Sequence, residues 1–173
     1  MPQYAVPQAD PAGTVSAGNW LDNFSATDLA DAVRDGIDGG TPDDSTNIGY
    51  TSGPGTTCEL LLESLTDPDD DSNHTIRVRA DVFFGSPTLT VAVFDGANQV
   101  DTTDFTINGS FSNYSYDLTA YPANYNDLRV KLTCSDNTVK VSEVELEVPS
   151  AGGGGGGGDV EDPTNPEAFL MFL

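Results

Sequence analysis

The sequence predicts an all-β fold: an antiparallel β-sandwich of jelly-roll type, with one short N-terminal helix and extended terminal arms. Three observations carry this expectation. Apolar residues recur at every second position in run after run between residues 57 and 148. Short clusters of Asp, Asn, Gly and Ser separate the runs. The middle of the chain is rich in Val, Leu, Thr, Phe and Tyr, whereas both ends are rich in Gly, Pro and Asp. Seven strand-like runs at such spacing are the pattern of a sandwich or barrel.

The elements follow in order. Residues 1–19 contain three prolines and little periodicity, and read as an extended N-terminal arm. Trp20 opens the first patterned segment. Ser25-Ala26-Thr27-Asp28 has the form of a capping box before Leu29, Ala32 and Val33 at helical spacing, with Gly36 as the stop, so a short helix is expected there. Residues 36–57 read as a loop. From Thr57 the period becomes two. Ile76, Val78, Ala80 and Val82 take one parity against Arg77, Arg79 and Asp81, and Leu89, Val91 and Val93 follow the same rule. Leu128, Val130, Leu132 and Cys134 alternate with Arg129, Lys131 and Thr133. The last run changes phase between Val139/Val141 and Val144/Leu146/Val148, which a β-bulge near Ser142 would reconcile. The sandwich is expected over residues 20–149. A Gly-rich linker over 150–158 contains seven consecutive glycines, and a C-terminal apolar anchor is expected over 159–173.

Charge narrows the partners. Twenty-eight acidic residues against six basic ones give a formal net charge of -22. Such a chain repels phosphate backbones and anionic bilayers, so neither nucleic acid nor membrane is an expected partner. No run approaches the ~20 apolar residues that span a bilayer. The first residues, Met1-Pro2-Gln3-Tyr4, lack the basic and apolar regions of a secretory signal, so synthesis in a cytoplasm is expected. Two distant cysteines, Cys58 and Cys134, form neither a disulfide framework nor a zinc set, and are expected as reduced thiols packed like small apolar groups.

Little in the inventory points to catalysis. His74 is the chain's single histidine and lies at the entrance of a strand, where a turn or capping role is expected; no Gly-x-Ser-x-Gly elbow exists. The Asp67-Pro68-Asp69-Asp70-Asp71 run has the oxygen ligands that suit calcium, without the spacing of a known loop, and Asp runs also make good turns. No enzyme activity and no cofactor are expected. Tyr114, Tyr116, Tyr121 and Tyr125 could stack on sugars if exposed, or pack into the core by parity. Asn73, Asn108 and Asn113 stand in glycosylation-type sequons.

Several strand motifs carry a resemblance. They are Cys58-Glu59-Leu60, Thr66-Asp67-Pro68, His74-Thr75-Ile76-Arg77-Val78-Arg79-Ala80, Tyr116-Asp117-Leu118-Thr119, Asn126-Asp127-Leu128-Arg129-Val130-Lys131-Leu132 and Val144-Glu145-Leu146-Glu147-Val148-Pro149. Over roughly residues 11–149 the chain is similar to a recurrent group of small virion proteins of tailed bacteriophages, carried near head and tail genes. The resemblance implies a particle component without saying which. The expectation drawn from it is an auxiliary capsid protein, a decoration or cement subunit on the outer capsid surface, made in the host cytoplasm. Its partners would be the major capsid protein or other virion subunits, with homo-oligomerisation. The alternative is a tail or fibre component, including a sugar-binding sandwich module. Phe169, Leu170, Met171, Phe172 and Leu173 are the expected partner-binding residues, since five adjacent apolar side chains are poorly placed in water. Cross-strand ion pairs are expected between Arg77, Arg79, Arg129, Lys131 and Glu143, Glu145, Glu147, with Arg129 near Glu143 across a tight hairpin.

Overall fold

A computed structural model describes residues 1–9, 20–22, 29–50, 57–68, 70–135 and 139–151. Among the described residues there are eleven β-strands: β1 (Gln3–Ala5), β2 (Pro7–Ala9), β3 (Trp20–Asp22), β4 (Ile48–Tyr50), β5 (Thr57–Leu62), β6 (Thr75–Val82), β7 (Thr88–Asp95), β8 (Asn98–Thr106), β9 (Ser112–Asp117), β10 (Leu128–Cys134) and β11 (Val139–Val148). They form two antiparallel sheets. One has the order β3-β4-β11-β6-β9, with β1 also paired to β11; the other has the order β2-β5-β10-β7-β8. Of the strands β5 to β11, only β7 and β8 are sequential neighbours within one sheet. The other connections cross between sheets, which makes the molecule a sandwich.

The period-two runs become the core. β6 and β10 alternate buried with half-exposed residues without a break. Ile76, Val78, Leu89, Leu128, Leu132 and Leu146 are fully buried between the sheets. Each such side chain stabilises the fold by roughly 1.5–3 kcal/mol. The phase change in β11 is a bulge, as its pattern requires: Val141 pairs with Ala80 and Glu143 with Arg79, leaving Ser142 unmatched. Cys58 and Cys134 are buried thiols, in agreement with their inward parity.

Three expectations need correction. The short helix is a single 3-10 turn at Asp31–Val33, closed by Ala32 N–H to Leu29 and Val33 N–H to Ala30. Its helical spacing does bury Leu29, Ala32 and Val33. The turn does not propagate because Gly36 takes φ +81°, outside helical space, and the following amides donate to glutamate carboxylates instead of helix carbonyls. The capping-box residues 25–28 lie outside the described residues.

The second correction concerns β10 and β11, which lie in different sheets, so no hairpin brings Arg129 to Glu143. Arg129 pairs instead with Glu59 at 3.1 Å and Asp127 at 2.9 Å. The expected pairing holds across β6 and β11 for Arg77, which pairs with Glu145 and Glu147; Arg79 stands opposite Glu143 in the register but pairs with Asp44 instead. The third correction is burial. Glu143 and Glu145, expected as members of cross-strand ion pairs on the polar side of β11, are both fully buried.

The first nine residues, read as part of an arm, bind this chain's own sheets. Gln3, Tyr4 and Ala5 pair with Val148, Glu147 and Leu146, and β2 pairs with β5. Gln3 also clasps Thr66, donating from Nε2 to its carbonyl at 2.8 Å and accepting its N–H at 3.0 Å.

Candidate functional site: the two outer faces

The sandwich presents two outer faces of different character. On the six-stranded sheet, β11 and β6 project Glu143, Glu145, Glu147, Arg77 and Arg79 outward. Residues 35–44 pass over them as a strap. Glu145 accepts N–H bonds from Ile37 (2.9 Å), Asp38 (3.1 Å) and Gly39 (2.8 Å). Glu143 accepts from Gly36 at 3.0 Å and Asp43 at 2.9 Å. Asp44 grips Arg79 through both carboxylate oxygens at 2.6 and 2.7 Å and accepts the Ser142 hydroxyl at 2.9 Å. The Arg79 pair holds the Asp44 carboxyl below its ordinary range, with the Ser142 bond acting in the same direction. Arg77 pairs with Asp38 at 3.0 Å and with Glu147. At Gly40 an added Cβ would lie 1.7 Å from the Asp35 carbonyl oxygen, so the strap's close fold requires glycine there.

The outer face of the five-stranded sheet carries, among the described residues, a set of half-exposed and exposed side chains. Its registers place Leu61, Arg129, Phe94 and Gln99 in one row, then Glu59, Lys131, Ala92 and Thr102, then Thr57, Thr133, Thr90 and Asp104. All of these are half-exposed or exposed except Ala92. Phe94 sits in the end row of the face, next to the β7–β8 turn, with the Lys131 ammonium 5.9 Å from its ring centroid. Thr90 donates to Asp104 at 2.6 Å, and Arg129 is fixed by Asp127 and Glu59. Strands about 4.8 Å apart and same-face residues about 6.8 Å apart make a grid of hydroxyl, amide and charged groups with one aromatic ring in its end row.

The residues singled out from sequence fall as follows. Phe169, Leu170, Met171, Phe172 and Leu173 lie outside the described residues. His74 is fully buried and structural. Its ring bonds the Ser72 carbonyl through Nδ1 at 2.9 Å and the Tyr125 hydroxyl through Nε2 at 2.6 Å, and its own carbonyl accepts the Leu118 N–H. Burial lowers the imidazole from its ordinary value and raises the Tyr125 phenol to about 12. Both shifts favour a neutral ring that donates from Nδ1–H and accepts the phenol proton at Nε2.

The tyrosines are consumed in the same way. Tyr121 packs 4.8 Å from His74, Tyr114 and Tyr116 lie inward on β9, and Tyr125 is buried. None of the four therefore stands on an open face. In the acidic loop, Asp69 lies outside the described residues, and among the described residues no group of three or more metal-ligating side chains is gathered. Asn108 accepts from Ser86, and Asn113 accepts from Arg79.

Phe94 was not singled out, although the parity that buries Leu89, Val91 and Val93 also turns Thr88, Thr90, Ala92 and Phe94 outward. Two exposed aromatics remain at the β6–β7 connection, Phe83 and Phe84, arranged edge to face at 5.9 Å.

No family model and no curated protein matches the chain. Solved structures of related architecture do. The chain is similar to the C-terminal family-6 carbohydrate-binding module of LamC, a marine laminarinase of Zobellia galactanivorans, at 7% identity and a TM-score of 0.49, over 86% of this chain and 100% of that one. The module CBM6cm-2 of the Cellvibrio mixtus lichenase 5A, solved with cellotriose, matches at 13% identity and 0.42, over 82% and 96%. The enzymatically active domain of tailspike protein 4 of bacteriophage CBA120 matches at 13% and 0.41, over 80% of this chain and 21% of that one. Likenesses of this strength have no bearing on ligand or activity.

Proposed function

We propose that this chain is a non-catalytic binding module of a tailed-phage particle, a tail or fibre component that holds a neutral polysaccharide on the outer face of its five-stranded sheet. One observation carries the reading: the two outer faces are treated differently. On the charged face the strap covers Glu143 and Glu145, while among the described residues the other face carries Phe94 beside Arg129, Gln99 and Lys131, with a row of threonines further along the sheet. A sugar presents apolar C–H faces and a ring of hydroxyls. An aromatic platform surrounded by fixed polar groups matches both. The net charge of -22 opposes anionic polysaccharides and leaves neutral ones as the better partner. The particle assignment is supported by the strand motifs shared with phage virion proteins. The jelly-roll winding belongs to the same reading, supported by a chain that keeps crossing between sheets.

The reading predicts that Phe94→Ala weakens binding to a neutral glucan or galactan by about 1–2 kcal/mol, a 5- to 30-fold rise in Kd. Phe83→Ala, outside the face, should leave the Kd unchanged. Affinity electrophoresis in polysaccharide gels measures both. Equal retention of wild type and the Phe94 variant would contradict the reading.

A second reading, the decoration subunit on the outer capsid surface, is favoured by Phe83. This side chain is 83% exposed, and exposed aromatics of that kind often anchor partner surfaces. It would join the apolar segment Phe169, Leu170, Met171, Phe172 and Leu173 in holding the major capsid protein or a second copy of this chain. Deleting residues 167–173 should then leave the sandwich folded and strip the protein from particles, which quantitative electrophoresis of purified virions measures. Copy number separates the readings: hundreds per particle for decoration, at most dozens for a tail part.

A further inference from the structure

We propose that residues 35–44 form a pH-responsive latch on the six-stranded sheet, held by Glu143 and tightest when that carboxyl is protonated. The inference is independent of the glycan-binding reading and rests on the contrast between the two buried glutamates. Glu145 lies 3.8 Å from the Arg77 guanidinium and accepts three backbone N–H bonds. Glu143 is equally buried, but among the described residues no cation lies within ion-pair distance of it. The nearby guanidinium of Arg79 is held in a bidentate pair by Asp44 and bonds Asn113.

The surroundings of Glu143 are otherwise acidic. The strap contributes Asp35, Asp38, Asp43 and Asp44, and β11 itself contributes Glu145 and Glu147. β6 brings Arg77 and Arg79, and β1 brings the Tyr4 phenol. Lys140, also on β11, is exposed and lies beside Asp81 and Gly49 in the register. Burial is the main cause that drives the Glu143 carboxyl up to about 7, with Asp35 adding repulsion and the strap amides opposing.

The sign follows from linkage. Opening the strap returns Glu143 to water and to the ordinary value of 4.5. Below pH 4.5 both states are protonated and the strap is fully held. Between pH 4.5 and about 7 the open state loses its proton first, so opening grows by up to about tenfold per pH unit. Above about pH 7 both states are ionised and the opening constant levels off at its highest value. The latch therefore loosens as pH rises.

Amide hydrogen exchange on the whole protein reads this directly. After correction for intrinsic exchange, protection of the Gly36 and Asp43 amides should fall by roughly one to two orders of magnitude from pH 5 to pH 7.5. In Glu143→Gln, whose side chain cannot ionise, the same amides should show a flat profile. Carbon-13 NMR of the wild-type glutamate carboxyls gives a second measurement that needs no variant: one resonance, assigned to Glu143, should titrate near neutrality. Protection that does not change with pH, an unaltered pH dependence in Glu143→Gln, or a Glu143 carboxyl titrating below pH 5 would overturn the proposal.

Discussion

Glu145→Ala should be the most destabilising single substitution on the outward-facing side of the six-stranded sheet, by about 3–5 kcal/mol, because it breaks a buried charge pair from one side. It orphans the Ile37, Asp38 and Gly39 amides together, and each buried donor left unpaired costs about 1–3 kcal/mol. Arg77 makes matters worse. Its Nη1 is buried without a hydrogen bond even in the intact protein, and Glu145 lies 3.8 Å from it. Glu145→Gln keeps an acceptor and should lose less. Glu147→Ala, at a half-exposed position, should lose no more than about 1 kcal/mol. Urea unfolding midpoints of the three variants test the order. A Glu145→Ala protein as stable as Glu147→Ala would mean that the strap is not held as described.

His74→Ala should cost about 3 kcal/mol or more, since it removes a buried aromatic ring and leaves the Tyr125 hydroxyl without its partner. The ring is wedged between Tyr121 and Tyr125 and ties the start of β6 to the loop before β10. Its pH behaviour is opposite to that of Glu143. Burial lowers the imidazole, so the stability it contributes is complete above pH 6.5 and is lost as pH falls through the lowered value. The wild type should accordingly weaken on acidification at the His74 end of the sandwich while the strap at Glu143 tightens. Tyr125→Phe separates the hydrogen bond from the packing: it should retain most of the stability of the cavity-free core and lose about 1–3 kcal/mol for the unsatisfied Nε2. Thermal melts at pH 5 and pH 7.5 for the three proteins provide the comparison.

The strands were legible because burial in a sandwich writes a period of two into the sequence. Ile76 to Val82 and Leu128 to Cys134 give their strands, inward faces and approximate ends, and the Val141-to-Val144 phase slip gives the bulge at Ser142. The pairing of strands was not legible. Parity says which way Arg129 points but not which sheet β10 joins, and a crossover and a hairpin have equal claim on a short Ser-Asp-Asn turn. The strap was invisible for another reason. Alternation marks Glu143 and Glu145 as outward, and outward acids are ordinarily solvated. Only the amides of Gly36, Ile37, Asp38, Gly39 and Asp43, about a hundred residues away in the chain, make them a buried anchor. The same competition for amides ended the expected helix after one turn. For the candidate site, the tyrosine cluster drew attention by density while parity had already assigned Tyr114 and Tyr116 inward and Phe94 outward.

The most direct test of the binding reading is a titration of the nitrogen-15-labelled protein with neutral oligosaccharides, following every backbone amide. The account predicts saturable shifts confined to the outward residues of β10 and β7, centred on Phe94, Lys131 and Ala92 and extending to Thr90 and Thr133, with none at the strap. Saturable shifts centred instead on the loops around His74, or no shifts with any neutral glycan at millimolar concentration, would contradict it.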